Sequence, residues 1–327
     1  LVKIAAELEQ ALAQRSLNGG AGRAVERRIA QGEGWTVSDV VCTCDRRDRV
    51  FEERHKGFSI ALVAAGSFQY RSSIGRSNNR PGAGSELMTP GSILFGNPGQ
   101  TYECGHDHGA GDRCISFWYS PDHFERLAAD AGAPGGKLQF RLLRLPPLRE
   151  LSPVAAQACC GVSQATTNGR PQKPEISWEE LSLRLAVLTL RLMGKDGPVP
   201  DANNAPPSSV ARVTRAVRMI ERNPDTELKL ADLAREAGLS RYHFLRTFEQ
   251  LTGVTPHQFI LRARLRQAAM RLAAEPGKVL DIALDCGFGD ISNFNRAFRA
   301  EFGANPAAFR KANSNWPPAI SPAKASS

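Results

Sequence analysis

Residues 230–259, LADLAREAGLSRYHFLRTFEQLTGVTPHQF, and residues 280–309, LDIALDCGFGDISNFNRAFRAEFGANPAAF, are two copies of one unit, about 50 residues apart. Ala234 falls on Ala283 and Gly238 on Gly287. After one extra residue in the second turn, Phe244 falls on Phe294, Arg246 on Arg296, Phe248 on Phe298, Gly253 on Gly303, Pro256 on Pro306 and Phe259 on Phe309. A unit used twice constrains the architecture more than any other feature of the chain. Each copy reads as a helix, a turn containing Gly, and a second helix. Leu230, Leu233, Ala234 and Ala237 form the apolar stripe of the first helix. Gly238 and Gly287 supply the left-handed conformation that closes a helix. Ser240 and Asp290 stand where a side-chain oxygen can cap the next one.

In the second helices the faces separate. Phe244, Phe248 and Leu251 point inward in the first copy; Phe294, Ala297 and Phe298 do so in the second. The outward stripe holds Tyr242, Leu245, Arg246 and Glu249, then Ser292, Asn295, Arg296 and Arg299. Arg241 and Ile291 open the two helices. A helix anchored by one aromatic side can enter a B-DNA major groove with the other. Arg pairs with guanine, Asn with adenine, and an apolar side chain contacts the thymine methyl. Charge agrees: residues 208–311 carry 17 Lys/Arg against 11 Asp/Glu, about six of the chain's net +9. The segment between the copies, TPHQFILRARLRQAAMRLAAEP, predicts one helix of roughly five turns, or about 30 Å. Successive major-groove faces lie about 34 Å apart, so such a helix can present both units to one side of a duplex. Arg262, Arg264 and Arg266 on it are candidates for phosphate contacts.

With these residues in view, the last hundred residues resemble the DNA-binding domain of the AraC/XylS family of bacterial transcription regulators. The run GFGDISNFNRAFRAEFGANPAAFR carries the likeness. The resemblance implies two helix-turn-helix units joined by a long helix. It assigns base contacts to Tyr242, Leu245, Arg246, Ser292, Asn295 and Arg296, with Ile291 in a slot that is polar in some relatives.

Upstream the texture changes. WTVSDVVCTC, FSIALVAAGSFQYRS and SILFGNPGQTYEC are short strand-like runs punctuated by Gly, Pro and Asn, the pattern of an antiparallel sandwich or small barrel. Residues 36 to about 125 resemble the cupin-like sensor domain found in this family, through ELMTPGSILFGNPGQTYE. The metal set of cupin enzymes is not matched: RVFEERHKGF offers His55 alone, and Tyr102 or a neighbour stands where a ligand His is usual. The domain therefore reads as a binding barrel with no catalytic residues, and His55 and Tyr102 are its effector-binding candidates. A cupin enzyme fused to a DNA-binding domain is the alternative.

CGHDHGAGDRC, 104–114, places Cys104, His106 and His108 in alternation, with Cys114 returning after a Gly-rich turn. Cys and His at this spacing suit a soft or borderline metal, and Cys42 and Cys44 also share one strand face. A metal- or thiol-responsive regulator is thus a second reading, weighed against a hairpin with buried thiols and exposed His. Seven cysteines, an odd number, predict reduced thiols. The N-terminal LVKIAAELEQALAQR reads as an amphipathic helix rather than an export signal, and no apolar run is long enough to cross a membrane. Together these predict a cytoplasmic protein.

Within 151–195, Trp178, Leu181, Leu185, Leu188 and Leu192 make a narrow apolar seam that suits pairing with a second copy, with packing as a core helix in its own subunit as the alternative. The expected organisation is multidomain α+β: a helical arm (1–34), a cupin-like β-barrel effector domain (35–150), a helical dimerisation region (151–195), a flexible linker (196–208), an all-α domain with two helix-turn-helix units (209–312) and a disordered tail (313–327). The expected partners are promoter DNA, a small effector, a second copy of the chain and, for an activator, RNA polymerase. No cofactor other than a metal ion at the Cys/His cluster is expected.

Overall fold

The computed structural model describes residues 3–50, 52–77, 80–132, 138–165, 177–193 and 205–313. The N-terminal half is built on two antiparallel sheets. Helix α1 (Lys3–Asn18) precedes β1 (Ala24–Gly32), β2 (Trp35–Asp45), β3 (Glu53–Arg54), β4 (Phe58–Gly66), β5 (Phe68–Ser77), β6 (Arg80–Met88), β7 (Ile93–Gly96), β8 (Thr101–Gly105) and β9 (Ala110–Tyr119). Helix α2 (Pro121–Asp130), β10 (Arg144–Leu145), α3 (Ser152–Ala165) and α4 (Trp178–Met193) follow. The larger sheet runs β1-β2-β9-β4-β7-β10 and the smaller β3-β8-β5-β6.

The helix expected across 1–34 ends at Asn18, and residues 24–32 are instead a strand. The Gly34 turn brings Gly32 opposite Trp35 and Ala24 opposite Cys42, so sheet pairing overrides local helix preference. Strand alternation sorts the larger sheet's side chains. Val37, Ile60, Leu62, Phe95, Ile115 and Phe117 face the helices and join the core that contains Phe124 of α2 and Val154 of α3. Ala61, Val63, Leu94 and Cys114 face the smaller sheet, where Phe68, Tyr70 and Met88 meet them.

Most of the apolar seam of α4 packs inside the chain. Trp178, Leu181 and Leu185 are buried in the helix-facing core, and Leu188 and Leu192 pack against it. The first three seam positions are engaged there, while Leu188 and Leu192 are half-buried and keep part of their surface outward. Most of the linker expected at 196–208, and the tail after Asn313, lie outside the described residues; helix begins at Pro207, where proline suits the first turn.

Seven helices make the C-terminal part: α5 (Pro207–Arg222), α6 (Leu230–Glu236), α7 (Arg241–Thr252), α8 (Pro256–Ala274), α9 (Val279–Asp285), α10 (Ile291–Phe302) and α11 (Pro306–Asn313). The first unit's core gathers Val213, Val217, Leu233, Ala234, Phe244, Phe248 and Phe259. The second gathers Leu265, Leu272, Ile282, Phe294, Phe298, Phe302 and Phe309. Leu230, placed by the sequence in the buried stripe, lies at the helix start and is exposed.

The two halves are docked on one another. Leu87 of β6 joins the first unit's core, and Ala156 of α3 joins the second's. Arg144, wholly buried, donates through Nε to Glu86 at 2.9 Å and through Nη1 to the Thr252 carbonyl at 3.1 Å. Arg218 of α5 donates to the Ala110 carbonyl at 3.1 Å. Helix α1 packs at the junction, where Ile4 and Leu8 meet Ala65, Cys160, Met270 and Ala273. Buried Arg113 fixes it further, bonding the Ile4 carbonyl and Glu7 as well as Asp39. Replacing Arg144 by Met should leave Glu86 buried without its counter-charge and cost about 3–5 kcal/mol of stability in chemical denaturation. The double variant Arg144→Met/Glu86→Gln should recover much of that loss.

Candidate nucleic-acid interface and inter-sheet cavity

The second helices of the two units are held by matching devices. After α6, Gly238 adopts φ +63° and the Leu239 N–H returns to the Ala234 carbonyl at 2.9 Å. After α9, Gly287 adopts φ +83° and the Phe288 N–H returns to Ala283 at 3.1 Å. A Cβ on Gly287 would come within 2.5 Å of the Asp225 carbonyl oxygen, so backbone angle and space both require glycine. Ser240 Oγ accepts from the His243 N–H at 3.3 Å, and Asp290 Oδ1 from the Asn293 N–H at 2.7 Å, which starts α7 and α10. Both end at left-handed glycines, Gly253 and Gly303.

Phe244, Phe248, Phe294 and Phe298 are completely buried. A 3.6-residue period then forces the intervening positions outward. Arg241, Tyr242 and Arg246 are exposed on α7, Tyr242 to 70%, and Leu245 is half-buried. Ser292, Asn295, Arg296 and Arg299 are exposed on α10. Ile291 is half-buried and packs partly on its own unit's core, which limits its reach. Asn295, Arg296 and Arg299 line an open groove with Leu280 of α9 and Pro306 of α11.

The arginines of α8 are engaged within the protein rather than left facing solvent. Arg262 bonds the Pro147 carbonyl and pairs with Glu301; Arg266 pairs with Glu221 at 2.8 Å. Arg264 donates to the carbonyls of Pro224 at 2.6 Å, Thr226 at 2.8 Å and Gly287 at 2.8 Å. It thus ties the loop before the first unit to the turn of the second. The sequence shows Arg262, Arg264 and Arg266 close together on one helix but not the carbonyls that fold back to meet them. In this structure all three brace the fold.

A cavity of about 190 Å³ lies between the sheets. Cys42, Ala61, Asp112, Cys114 and Ser116 line it from the larger sheet, and Phe68, Tyr102, Cys104, His106 and His55 from the opposite side. Both effector candidates are therefore here. The His55 and Tyr102 rings stack with centroids 4.1 Å apart, and Tyr102 Oη donates to Glu53. His55 Nε2 lies 2.9 Å from Tyr70 Oη, which itself donates to the Phe95 carbonyl at 3.1 Å. That assigns the proton to Nε2 of His55. Burial lowers the His55 pKa to about 4, so its ring is neutral near pH 7.

Three of the four Cys/His candidates, Cys104, His106 and Cys114, line this cavity. The alternation expected through His108 stops at Gly105, where β8 ends. His108 sits in the following turn, away from the lining. Burial, then the Asp112 charge, raises the pKa of Cys42, Cys104 and Cys114, so these thiols are held protonated. Two cavity residues with chemistry, Cys42 and Asp112, were not joined to the 104–114 cluster by sequence reasoning. They are directly opposed across β2 and β9, a register that no local motif announces.

Residues 233–312 match the family described as a helix-turn-helix domain. The chain is 37% identical over 97 residues to the Transposon Tn10 TetD protein of Escherichia coli, covering 30% of this chain and 70% of that protein. It is 29% identical over 100 residues to the HTH-type transcriptional regulator MtrA of Neisseria gonorrhoeae, covering 31% of this chain and spanning 33% of that protein's length. A solved transcriptional regulator with an AraC-type DNA-binding domain, from Chromobacterium violaceum, is 30% identical over 32% of this chain and 93% of its own, with a TM-score of 0.31. With the repeat, the capped helices and this identity all falling on the same hundred residues, the chain belongs to the AraC/XylS family of helix-turn-helix transcriptional regulators.

Proposed function

We propose that this protein binds specific promoter sites in double-stranded DNA through α7 and α10, and that a ligand in the inter-sheet cavity adjusts that binding. The observation that carries the reading is the pairing of wholly buried phenylalanines with exposed Arg, Asn and Tyr on both capped helices. Arg246 and Arg296 read bases bidentately, Asn295 reads adenine, and Tyr242, Leu245, Ile291 and Ser292 shape the local contact. Arg241 and Arg299, at the ends of this face, suit phosphate.

The N-terminal part is read as a cupin-like sensor. Its two antiparallel sheets and the cavity between them support a binding role. The docking of both helix-turn-helix units on it supports regulation through that contact. A ligand acts only by binding one docked arrangement better than another.

The test is binding of purified protein to selected operator DNA, set against scrambled DNA of the same length. Arg246→Ala and Arg296→Ala should each weaken specific binding by about 1–3 kcal/mol and relax base choice at one position. Uniform weakening across all sequences would assign those residues to phosphates instead. Arg264→Ala should weaken binding to a site spanning both grooves while changing affinity for a single half-site little. Equal loss on both would remove Arg264 as the brace between units.

A further inference from the structure

We infer that the inter-sheet cavity holds a zinc-class divalent metal site whose protein ligands are Cys42, His106 and Asp112. Their donor atoms, a thiol sulfur, an imidazole nitrogen and a carboxylate oxygen, lie within 4.8 Å of one another, and all three residues are buried. Tetrahedral coordination at ordinary zinc distances needs donors about 3.3–3.8 Å apart. Small side-chain rotations close that gap. The mixed S, N, O set favours a borderline ion over calcium or magnesium, which take oxygen alone.

The arrangement has a backbone cause. Cys42 and Asp112 are cross-strand partners in β2 and β9, which fixes two donors on the cavity face of one sheet. His106 enters from the end of β8, at the other side of the β8–β9 turn. Its Nε2 lies 2.7 Å from Asp112 Oδ1, while its Nδ1, on a ring 4% exposed, has no hydrogen-bond partner among the described residues. Nε2, the ring nitrogen that faces Asp112, is therefore the one placed to share an ion with that carboxylate, the two donors parting slightly as the ion enters between them. Cys114 stands close by, its thiol donating to Asp112 Oδ2 at 3.4 Å, and can complete the set.

The site deepens the sensor reading and rests on it for its regulatory meaning alone. The turn between His106 and Asp112 is the segment that Arg218 of α5 grips, through the Ala110 carbonyl. Drawing the two ligands onto an ion alters the surface on which the first helix-turn-helix unit is docked.

The experiment is titration of the reduced full chain with cobalt(II), followed by zinc(II) competition. One equivalent of cobalt should give a thiolate-to-cobalt charge-transfer band with visible ligand-field bands, and zinc should displace both. Cys42→Ser should abolish the charge-transfer band, and His106→Gln should weaken affinity about 10–100-fold. Cys160→Ser, which alters a buried thiol packed against Met270, should change neither. Absence of a saturable band in the wild type, or a band unaltered in Cys42→Ser, overturns the site; the wild-type titration decides alone if a variant fails to fold. DNA affinity is measured in the same samples. Cobalt binding without a change in DNA affinity supports the site and removes the sensor reading. Intact DNA binding without cobalt uptake removes the site and leaves the DNA-binding reading standing.

Discussion

Everything the C-terminal half presents outward depends on what its phenylalanines do inward. Phe248 meets Phe259 edge-on at 5.6 Å between ring centroids, and Phe298 meets Phe309 in the same way at 5.3 Å. Phe294 is further held by Phe288, in the turn before its own helix. Such rings carry large buried areas and prefer defined relative angles. A short helix anchored by them has one rotational setting. The polar face needs no interactions of its own to hold direction, so its residues remain available to nucleotides. Short helices are marginal in isolation; here side-chain packing and capping supply the stability that length does not.

The spacing of the two helices depends on a second device. Helix α8 belongs to both cores: Phe259, Ile260 and Ala263 serve the first, while Leu265, Leu272 and their neighbours serve the second. A single rod shared in this way cannot turn one unit without disturbing the other. Arg264 adds three carbonyl contacts across the same gap. Its burial disfavours the charged guanidinium, and the three oxygens offset that cost.

Legibility in the sequence followed the range of the interactions. Caps, closing glycines and the aromatic stripe act within a few residues, so Ser240, Gly238, Asp290, Gly287 and the exposed sets on α7 and α10 could be read directly. The β1 strand could not, because its partner β2 decides its conformation. The α4 seam had the right period but gave no sign of which surface it covers; Trp178, Leu181 and Leu185 pack into the core under their own sheet. Arg262, Arg264 and Arg266 read as phosphate candidates, because the carbonyls and carboxylates that meet them come from distant parts of the chain. In the cavity, His55 and Tyr102 were reached through resemblance. The opposition of Cys42 and Asp112 is a matter of register between strands about seventy residues apart, and alternation within either strand is silent about it.

Two continuous physical routes join that cavity to the DNA-reading half. One runs from the β8–β9 turn through the Ala110 carbonyl to Arg218, and so to α5 in the first core. The other starts one residue beyond Asp112. Arg113 binds Asp39 on one side and Glu7 with the Ile4 carbonyl on the other, which fixes α1; α1 in turn packs beside Met270 of α8. Continuity alone does not make a switch, since coupling needs an element with two arrangements that both sites bias. On the proposed reading, the docked interface is that element. It combines apolar packing, at Leu87, Ala156 and around Ile4 and Leu8, with a few directional contacts: Arg144 to Thr252, Arg218 to Ala110, Arg262 to Pro147. Hydrogen bonds of this kind are lost when a partner carbonyl moves by an ångström, whereas apolar contact degrades gradually. On the proposed reading, a ligand that shifts strand β9 by that much changes the docking equilibrium without unfolding either helix-turn-helix unit.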